Sequence, residues 1–506
     1  MLSERAGAWN ELALGAGSEL DLLVIGGGVT GAAILFEAAR RGLRAALVER
    51  NDFASGTSSR SSKLIHGGLR YLKEGKIGLT RESVRERQEL LRDAPGLVDP
   101  IAFVMPHYRG RKPSRATLAF GLAAYDALAG SWQHKYLDRE QTLSLVPSLE
   151  TDGLQGAHRY TDATTDDARL VLRLLGDAHD AGAIALNYVD ATELLGNERV
   201  VGARLVDAID GRAIEVRARA VIAATGVFAD ELREHVGQPP RLRPLRGSHL
   251  IVENWRLPLP CAVAFEHPKD SRPVFAYPWL GQTLVGTTDL DHMLPLDNEP
   301  SMSREELHYL LNAVQFQFPS TRIGAGDVVA TYAGIRPVVE ASRDAAPSKV
   351  SRDHAVWNER GLVTITGGKL TTFRPMALDA LRAAAPQLPP FDVQPRRIFE
   401  KPGRYGAHES AVTAAAGPGE LDRIGSTPFR WVDLRWAARH EAVVHLEDLL
   451  MRRTRIGLLV RDGGEQYFDR IGSICRDELG WTQSRWSDEA RAYVSLRQYS
   501  YGLPYA

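Results

Sequence analysis

A glycine-rich turn between a strand and a helix constrains the fold of this chain more than any other feature. Residues 21–25 form a short aliphatic run typical of a buried strand, and residues 29–41 form an alanine-rich run that predicts a helix ending at Gly42. A second strand is predicted at residues 45–49. The pattern GxGxxG is formed by Gly26, Gly28 and Gly31. The sequence therefore predicts a β-α-β unit of the kind that binds dinucleotides.

Each position of this unit has a physical role in holding a dinucleotide. The first glycine permits the tight turn, the second lets the backbone approach a pyrophosphate, and the third lets the helix pack on the sheet. The amino-terminal end of the helix then binds the phosphates. Glu49 ends the second strand, where its carboxylate can accept both ribose hydroxyls, and an acid there argues against NADP. The unit alone leaves FAD and NAD as alternatives.

Two later segments favour FAD. Residues 220–226 form a strand that ends in Ala-Ala-Thr-Gly, a pattern that in many FAD proteins returns to the first β-α-β unit near the adenine. Gly367, Gly368 and Lys369 form a second glycine turn before a helix that is predicted to begin near Thr372. The amino terminus of that helix is expected to face the flavin ring.

Composition excludes several classes of function. The net charge of −1, from 62 basic and 63 acidic side chains, gives no general attraction for nucleic acid, so an anion site must be a local cluster of Arg and Lys. The two cysteines, Cys261 and Cys475, lie far apart and predict neither a disulfide framework nor a metal site. Residues 1–20 do not resemble a secretory signal, and no apolar run reaches the roughly 20 residues of a membrane span. We therefore expect a cytoplasmic protein without a metal.

The coarse pattern of elements predicts a mixed α/β protein. A helix is expected at residues 166–182, and strands at residues 200–207 and 213–224 flank an Asp-Gly turn. Strand-like pieces recur at residues 248–252, 274–278 and 283–287, which suggests an antiparallel substrate domain inserted between segments of a Rossmann-like FAD-binding domain. Near the carboxyl terminus, helices are predicted at residues 433–453 and 486–497, and Arg452, Arg453 and Arg455 are interpreted as complementing the dipole of the first helix.

These elements predict the following division of the chain. The expected parts are an N-terminal extension at 1–20, an oxidoreductase region at 21–385, a linker at 386–430 and a helical C-terminal domain at 431–506. Within the oxidoreductase region, the expected FAD-binding segments are about 21–110, 160–245 and 330–385, and the substrate-domain segments are about 111–159 and 246–329.

A longer set of motifs resembles the FAD-dependent glycerol-3-phosphate dehydrogenases of the respiratory, aerobic type. Residues 57–72 read TSSRSSKLIHGGLRYL, and further matching blocks are DDARLVL at 166–172, RGSHLIV at 246–252, GTTD at 286–289, YAGIRPV at 332–338, GGKLTTFR at 367–374 and a helical block at 435–459. The resemblance covers about residues 20–380 and 430–500. The stretch between Tyr405 and Trp431 is short and rich in Gly and Pro for this family, so we expect a helix of the C-terminal domain to be missing there.

The resemblance implies oxidation of sn-glycerol 3-phosphate to dihydroxyacetone phosphate by hydride transfer to flavin N5, with electrons passing to a membrane quinone. It places five residues at the substrate: Arg70, Tyr71, Arg336, Arg352 and Lys369. Arg336 is also expected to stabilise charge during catalysis. Three of the cations lie in turns marked by Gly or Pro, which disfavours ordinary solvated surface charges. Because this cluster has no obvious acidic partner in the sequence, we expect a phosphate to occupy it.

The base that takes the hydroxyl proton is expected to be a histidine. His66 precedes two glycines inside the block at 57–72, and His249 lies in a predicted strand; both remain candidates. The residues expected to contact FAD are Gly26, Gly28, Gly31, Glu49, Thr57, Ser58, Ser62, Lys63, Gly226, Gly368, Leu370 and Thr371.

Several alternatives stay open at this stage. An oxidase of the same substrate would pass electrons to oxygen, and a flavin-dependent amine or amino-acid oxidase shares the glycine unit. A non-enzymatic flavoprotein would need neither substrate cations nor a base. Four basic residues, Arg109, Arg111, Lys112 and Arg115, precede an apolar run at 116–125, which predicts either peripheral binding to the inner face of the cytoplasmic membrane or an ordinary core helix. A homodimer is among the oligomeric states that the sequence allows.

Overall fold

The predicted β-α-β unit forms the centre of a largely parallel sheet. In the computed structural model, which describes residues 2, 5–14, 19–69, 75–111, 114–130, 132–339 and 353–504, strand β1 (Leu20–Ile25) pairs in parallel with β2 (Ala45–Val48) and β10 (Ala213–Ala223). Aliphatic side chains bury both faces of these strands, as a parallel sheet requires. Helix α2 (Val29–Ala39) connects β1 to β2 and is almost wholly buried. The predicted β-α-β unit is confirmed.

The strands of the described residues fall into two sheets. The first sheet has the order β17-β18-β10-β1-β2-β7, with β9 paired to β10 and β8 paired to β9. Its remaining members are β7 (Ile184–Leu186), β8 (Val189–Leu195), β9 (Gly202–Asp207), β17 (His354–Glu359) and β18 (Leu362–Gly367). The second sheet has the order β15-β11-β14-β13-β12-β4-β6-β3, with β16 paired to β11 and β5 paired to β6. Its members are β3 (Leu64–Ile65), β4 (Val98–Tyr108), β5 (Lys135–Asp138), β6 (Leu154–Thr165), β11 (Leu242–Val252), β12 (Ala262–Glu266), β13 (Pro273–Trp279), β14 (Gln282–Gly286), β15 (Leu290–Asp291) and β16 (Val328–Val339).

The second sheet is antiparallel except where β12 pairs with β4. It contains the three strand-like pieces that the sequence predicts, as parts of β11, β13 and β14. It also contains β4 and β16, which the sequence assigns to FAD-binding segments on the basis of their position along the chain. The structure instead pairs β4 with β6 and β16 with β11. The chain therefore crosses between the two sheets more often than the predicted boundaries imply.

Helices cover the two sheets and form most of the C-terminal region. The helices of the described residues, besides α2, are α1 (Arg5–Leu14), α3 (Ile77–Asp93), α4 (Arg115–Ala129), α5 (Arg139–Leu145), α6 (Asp167–Asp180), α7 (Ala229–His235), α8 (Arg304–Gln317), α9 (Phe373–Ala384), α10 (Glu409–Ala414), α11 (Trp431–His440), α12 (Ile456–Leu459), α13 (Phe468–Leu479) and α14 (Gln483–Leu496). In the part of the chain that is described, none of these helices has both the length and the apolar character needed to cross a bilayer.

The C-terminal region departs from the sequence prediction in two respects. A continuous helix at 433–453 is wrong, because α11 ends at His440 and the chain turns through Ala442 at a φ of 50°. The backbone N–H groups of Val444 and His445 donate to the buried carboxylate of Asp448, both at 2.9 Å, which fixes the turn that precedes a short π-helical segment at Asp448–Arg453. The dipole interpretation of Arg452, Arg453 and Arg455 is also wrong, because all three are buried in ion pairs with distant carboxylates.

Two segments without a predicted element are packed into the fold. Helix α1 lies in the extension at 1–20 and buries Trp9, while Arg5 donates to Asp207 at 2.9 Å and to the carbonyl of Asn187 at 3.0 Å. The predicted linker at 386–430 contains α10, and its Phe399 is fully buried against Phe36.

Candidate functional site

A cavity of about 890 Å³ lies where the two sheets meet. Its volume falls in the range of small-molecule sites, and residues of both sheets line it. The predicted site residues in its lining are Gly26, Gly28, Glu49, Thr57, Ser58, Ser62, His66, Gly226, His249, Arg336, Gly368, Lys369, Leu370 and Thr371. One cavity therefore brings the dinucleotide motif together with the predicted substrate residues.

The glycine turn has no room for side chains. Gly26 has a φ of +113°, and a Cβ there would lie 2.6 Å from the carbonyl oxygen of Ala224. A Cβ at Gly31 would lie 1.9 Å from the carbonyl oxygen of Gly26, so this glycine lets α2 pack on the turn rather than lining the cavity. Ser58 accepts a hydrogen bond from the N–H of Val29 at 2.9 Å and so caps the helix that follows Gly28.

Glu49 connects the end of β2 to the glycine turn. Its Oε2 accepts the N–H of Gly27 at 2.6 Å, and its Oε1 accepts the N–H of Asn51 at 2.9 Å. Burial raises the pKa of Glu49, and these two backbone donors oppose that rise. Each carboxylate oxygen keeps a second lone pair, so the side chain can still accept ribose hydroxyls from the cavity. The turn, the helix terminus and this acid together fit the adenosine and pyrophosphate of FAD.

The side chain of His249 packs between residues of two neighbouring strands of the second sheet. In the register of the sheet, His249 on β11 lies opposite Gly286 on β14 and Tyr332 on β16. Its ring stacks on Tyr332 with centroids 4.6 Å apart, and a Cβ at Gly286 would lie 2.1 Å from its Cδ2. Nε2 is 2.9 Å from the hydroxyl of Ser62, and the buried Nδ1 has no hydrogen-bond partner among the described residues. Burial holds the pKa of His249 well below its usual value, and the nearby charge of Arg336 adds to this.

The side chain of Arg336 also packs against a strand glycine, Gly247, as His249 packs against Gly286. A Cβ at Gly247 on β11 would lie 2.2 Å from Nη2 of Arg336. The guanidinium donates to Oδ1 of Asp289 at 2.9 Å and to the hydroxyl of Thr287 at 3.1 Å. The expectation that the predicted cations lack an acidic partner is therefore wrong for Arg336. Asp289 also pairs with Arg272 at 3.1 Å, so one carboxylate serves two arginines.

Lys369 and His66 reach the cavity from two neighbouring turns. The ammonium of Lys369 donates to the hydroxyl of Ser83 on α3 at 3.1 Å. Thr371 accepts the N–H of His66 and donates to its carbonyl, both at 3.2 Å, which joins the turn after β3 to the turn after β18. Both side chains are half-buried, and both line the same cavity as His249 and Arg336.

Besides Gly31, one predicted cofactor contact lies outside the cavity, and three predicted substrate residues are not described. Lys63 is fully buried, and its ammonium donates to Asp167 at 3.0 Å and to the carbonyl of Ser59 at 2.8 Å. Burial lowers the pKa of Lys63 to about 8. Its role is thus to hold the loop rather than to face the cavity. The residues outside the described part of the chain are Arg70, Tyr71 and Arg352.

Other lining residues were missed by sequence reasoning. Residues 296–300 form part of the cavity lining. Within this segment, Asp297 pairs with Arg50 at 3.2 Å. Glu447 and Arg452 line the cavity from the C-terminal region. Glycines at 247 and 286 gave a usable signal, because a strand glycine often marks the close approach of another group. No nearby sequence pattern indicates that Glu447 and Arg452 line the cavity, because the partner of Arg452, Asp52, lies 400 residues away in the chain.

Two family models match the chain. The model for FAD-dependent oxidoreductases matches residues 21–374, and the model for the C-terminal domain of alpha-glycerophosphate oxidase matches residues 384–486. A curated relative from Staphylococcus epidermidis, the aerobic glycerol-3-phosphate dehydrogenase, is 40% identical over 383 residues, which cover 73% of this chain and 68% of the relative. The chain belongs to the FAD-dependent glycerol-3-phosphate dehydrogenase family. The enzyme of the same name from Staphylococcus aureus is 37% identical over 379 residues, with the same coverage.

Solved structures agree with this family and with its cofactor. The glycerol-3-phosphate dehydrogenase from Bacillus halodurans, solved with FAD, superposes with a TM-score of 0.78 at 28% identity over 97% of both chains. The L-alpha-glycerophosphate oxidase from Mycoplasma pneumoniae, also with FAD bound, superposes with a TM-score of 0.58 at 20% identity, over 75% of this chain and 97% of the oxidase. At that identity the second match supports the fold alone. FAD is the cofactor of this family, and the residues of the cavity fit it.

Proposed function

We propose that the protein oxidises sn-glycerol 3-phosphate to dihydroxyacetone phosphate and passes the electrons to a membrane quinone. The observation that carries this proposal is that Arg336, Lys369, His249 and His66 line one cavity together with the dinucleotide turn. The names of the curated relatives support the same substrate. FAD, when bound, supplies an acceptor for hydride and returns the electrons in a later step.

Arg336 and Lys369 are the proposed anchors of the phosphate among the described residues. An arginine can donate two parallel hydrogen bonds to phosphate oxygens, whereas a lysine adds a compact charge. Asp289 and Thr287 hold the Arg336 guanidinium before substrate arrives, so little conformational entropy is lost on binding. We keep the division into FAD-binding and substrate segments as a proposal. The two phosphate anchors come from both sheets, because Arg336 lies on β16 and Lys369 follows β18.

His249 is the proposed acceptor of the proton from the C2 hydroxyl. Its lowered pKa keeps the imidazole neutral at neutral pH, which is the form that can take a proton. The bond between hydrogen and C2 then breaks with its electron pair leaving as hydride, and the carbonyl of the product forms. His66 remains the alternative base, because it lines the same cavity.

A surface on α4 supports peripheral binding to the membrane that holds the quinone. The helix buries Leu118 and Leu122 but leaves Phe120 80% exposed, and Trp132 just beyond it is 72% exposed. The basic residues flanking this surface are Arg109, Arg111 and Arg115, each of them exposed. Large apolar side chains beside arginines suit the anionic surface of a bilayer. We propose that this surface docks on the inner face of the cytoplasmic membrane.

The deciding experiment mixes the purified holoenzyme anaerobically with glycerol 3-phosphate and follows the flavin absorbance near ~450 nm, the usual band of the oxidised cofactor. Rapid bleaching is expected with glycerol 3-phosphate and not with glycerol, because glycerol lacks the phosphate. Bleaching by an amino acid or amine instead would overturn the proposed substrate. Fast reoxidation by a quinone and slow reoxidation by air is the expected outcome, whereas fast reoxidation by air would identify an oxidase, the activity named in the matching C-terminal model.

A further inference from the structure

We propose that the C-terminal region braces the FAD site through the buried carboxylate of Asp52, which makes Arg452 and Arg453 positioning residues for cofactor retention. Asp52 follows β2 in the loop beside the glycine turn, whereas the two arginines lie about 400 residues later in the π-helical turn at Asp448–Arg453. The inference depends on FAD as the cofactor and not on the identity of the substrate.

Asp52 is the meeting point of three separate parts of the chain. Its carboxylate accepts hydrogen bonds from Nε of Arg452 at 2.5 Å, from Nη2 of Arg453 at 2.9 Å and from Nδ2 of Asn187 at 2.9 Å. All four residues are buried. Although burial opposes it, the two arginines lower the pKa of Asp52 to about 2, so the carboxylate is charged throughout the neutral range. A buried charge with three donors has little freedom to move.

The loop that carries Asp52 holds the glycine turn. Ala54 donates its N–H to the carbonyl of Gly27 at 3.0 Å, and Glu49 accepts the N–H of the same glycine at 2.6 Å. The ring of Phe53 packs so closely that a Cβ at Gly27 would lie 2.9 Å from its Cδ1. A displacement of Asp52 therefore shifts the residues that shape the pyrophosphate turn.

The C-terminal region also reaches the cavity itself. Arg452 lines the cavity and donates to Glu447 at 2.8 Å and to Asp448 at 2.6 Å. Tyr188, which lines the cavity after β7, donates its hydroxyl to Asp448 at 2.7 Å. The wall of the cavity is thus completed by a segment that belongs to the C-terminal family model, residues 384–486, and not to the FAD-binding model.

Lysine substitutions test this brace without removing charge. A lysine keeps the charge of Arg453 but loses the planar fork that spans both oxygens of Asp52. The matched control is Arg404→Lys, because Arg404 also joins the C-terminal part to a buried acid of the FAD-binding part, Asp166, at 2.8 Å, but does not line the cavity. Arg452→Lys is a second variant that should act in the same direction.

The measurement is the dissociation constant of FAD from reconstituted apoprotein, read from flavin fluorescence, together with the melting temperature of each apoprotein. We expect Arg453→Lys and Arg452→Lys to raise the dissociation constant about tenfold or more, because a charge-assisted hydrogen bond of the turn is lost. Arg404→Lys should leave it within about threefold of the parent. The proposal is overturned if the first two variants bind FAD as tightly as the parent, or if all three lose FAD in proportion to their loss of melting temperature. Neither readout requires a substrate.

Discussion

The hydroxyl of Ser62 lies 2.9 Å from Nε2 of His249 and joins the hydroxyl-rich loop after β2 to the second sheet. Tyr332 stacks on the imidazole ring of His249. Its hydroxyl group donates a hydrogen bond to the carbonyl of Ser61 at 2.9 Å. The ring of His249 is thus fixed from two directions by the same loop. This geometry leads to the first prediction.

Replacing His249 with Asn should lower the rate of flavin reduction by glycerol 3-phosphate by about 10²- to 10⁴-fold, the usual contribution of a general base. The flavin content should be unchanged, because the glycine turn and Glu49, the proposed holders of the pyrophosphate and ribose, make no hydrogen bond to this side chain. Stopped-flow absorbance measures the rate, and His66→Asn is the comparison. If His66→Asn causes the large loss while His249→Asn reacts at the parental rate, the base is His66.

The pH dependence of stability should carry the signature of the same histidine. Its folded pKa is lowered by burial, whereas an unfolded histidine titrates near 6.5. Below about pH 6.5 the unfolded chain binds a proton that the folded chain does not, so the free energy of unfolding falls as the pH falls, by up to about 1.4 kcal/mol per pH unit. Urea unfolding of the parent and of His249→Asn at pH 7 and pH 5.5 checks this. An equal pH effect in both proteins would contradict the assignment.

Asp289→Asn should separate the placement of Arg336 from its charge. Without the carboxylate, the guanidinium keeps its positive charge but loses its main anchor, so the reduction rate should fall about tenfold or more. Inhibition by inorganic phosphate should not weaken, because the substitution removes the negative charge of Asp289, which would otherwise repel the phosphate. The control is Asp291→Asn, whose carboxylate pairs with Arg243 at 2.6 Å at an exposed position in the neighbouring strand β15. A parallel loss of phosphate inhibition and rate would argue that Asp289 only maintains the fold.

Lys369→Ala should weaken substrate binding and leave FAD in place. The loss of a charged hydrogen bond to phosphate predicts a rise in the dissociation constant of glycerol 3-phosphate of about 10- to 100-fold. Titration of the flavin spectrum measures this constant, and Lys269→Ala, at an exposed surface position, is the control. A variant that loses flavin while its remaining holoenzyme binds substrate normally would show that Lys369 serves the cofactor.

Phe120→Glu should reduce binding to vesicles that contain anionic phospholipid. It replaces an exposed aromatic ring with a charge that the bilayer surface repels, and about a tenfold loss of partitioning is expected. Trp255→Glu is the matched control, because Trp255 is 72% exposed on a different segment. Binding should also weaken with added salt if the flanking arginines contribute. Equal effects of the two substitutions would place the membrane contact elsewhere.

The parts of the site that could be predicted from the sequence are those that depend on neighbours along the chain. The glycine turn and Glu49 belong to one β-α-β unit, in which each role follows from local backbone geometry. The family resemblance indicates Arg336, and His249 is a candidate as a histidine in a predicted strand. Gly247 and Gly286 make room for these two side chains, which explains why those strands contain glycine.

The misplaced features depend on partners that are distant in sequence. Lys63 was expected to face the cofactor, but the buried carboxylate of Asp167 binds it. The helix predicted to continue to Arg453 ends at His440, and Arg453 and Arg455 beyond it pair with the buried carboxylates of Asp52, Asp166 and Asp167. Periodicity reports which face of an element is apolar, and it contains no information on which distant charge will neutralise a buried one.

The separation of about 400 residues between Asp52 and Arg452 has a consequence for the order of events during synthesis. At ribosomal rates of about 5 to 20 residues per second, the loop that carries Asp52 emerges roughly 20 to 80 seconds before the arginines that neutralise it. Throughout that interval Asp52 lacks the two arginines that neutralise it in the folded protein. If Arg452 and Arg453 brace the FAD site as proposed, we expect cofactor loading to be a late step, so that a nascent chain stalled before residue 440 captures FAD far less well than the released protein.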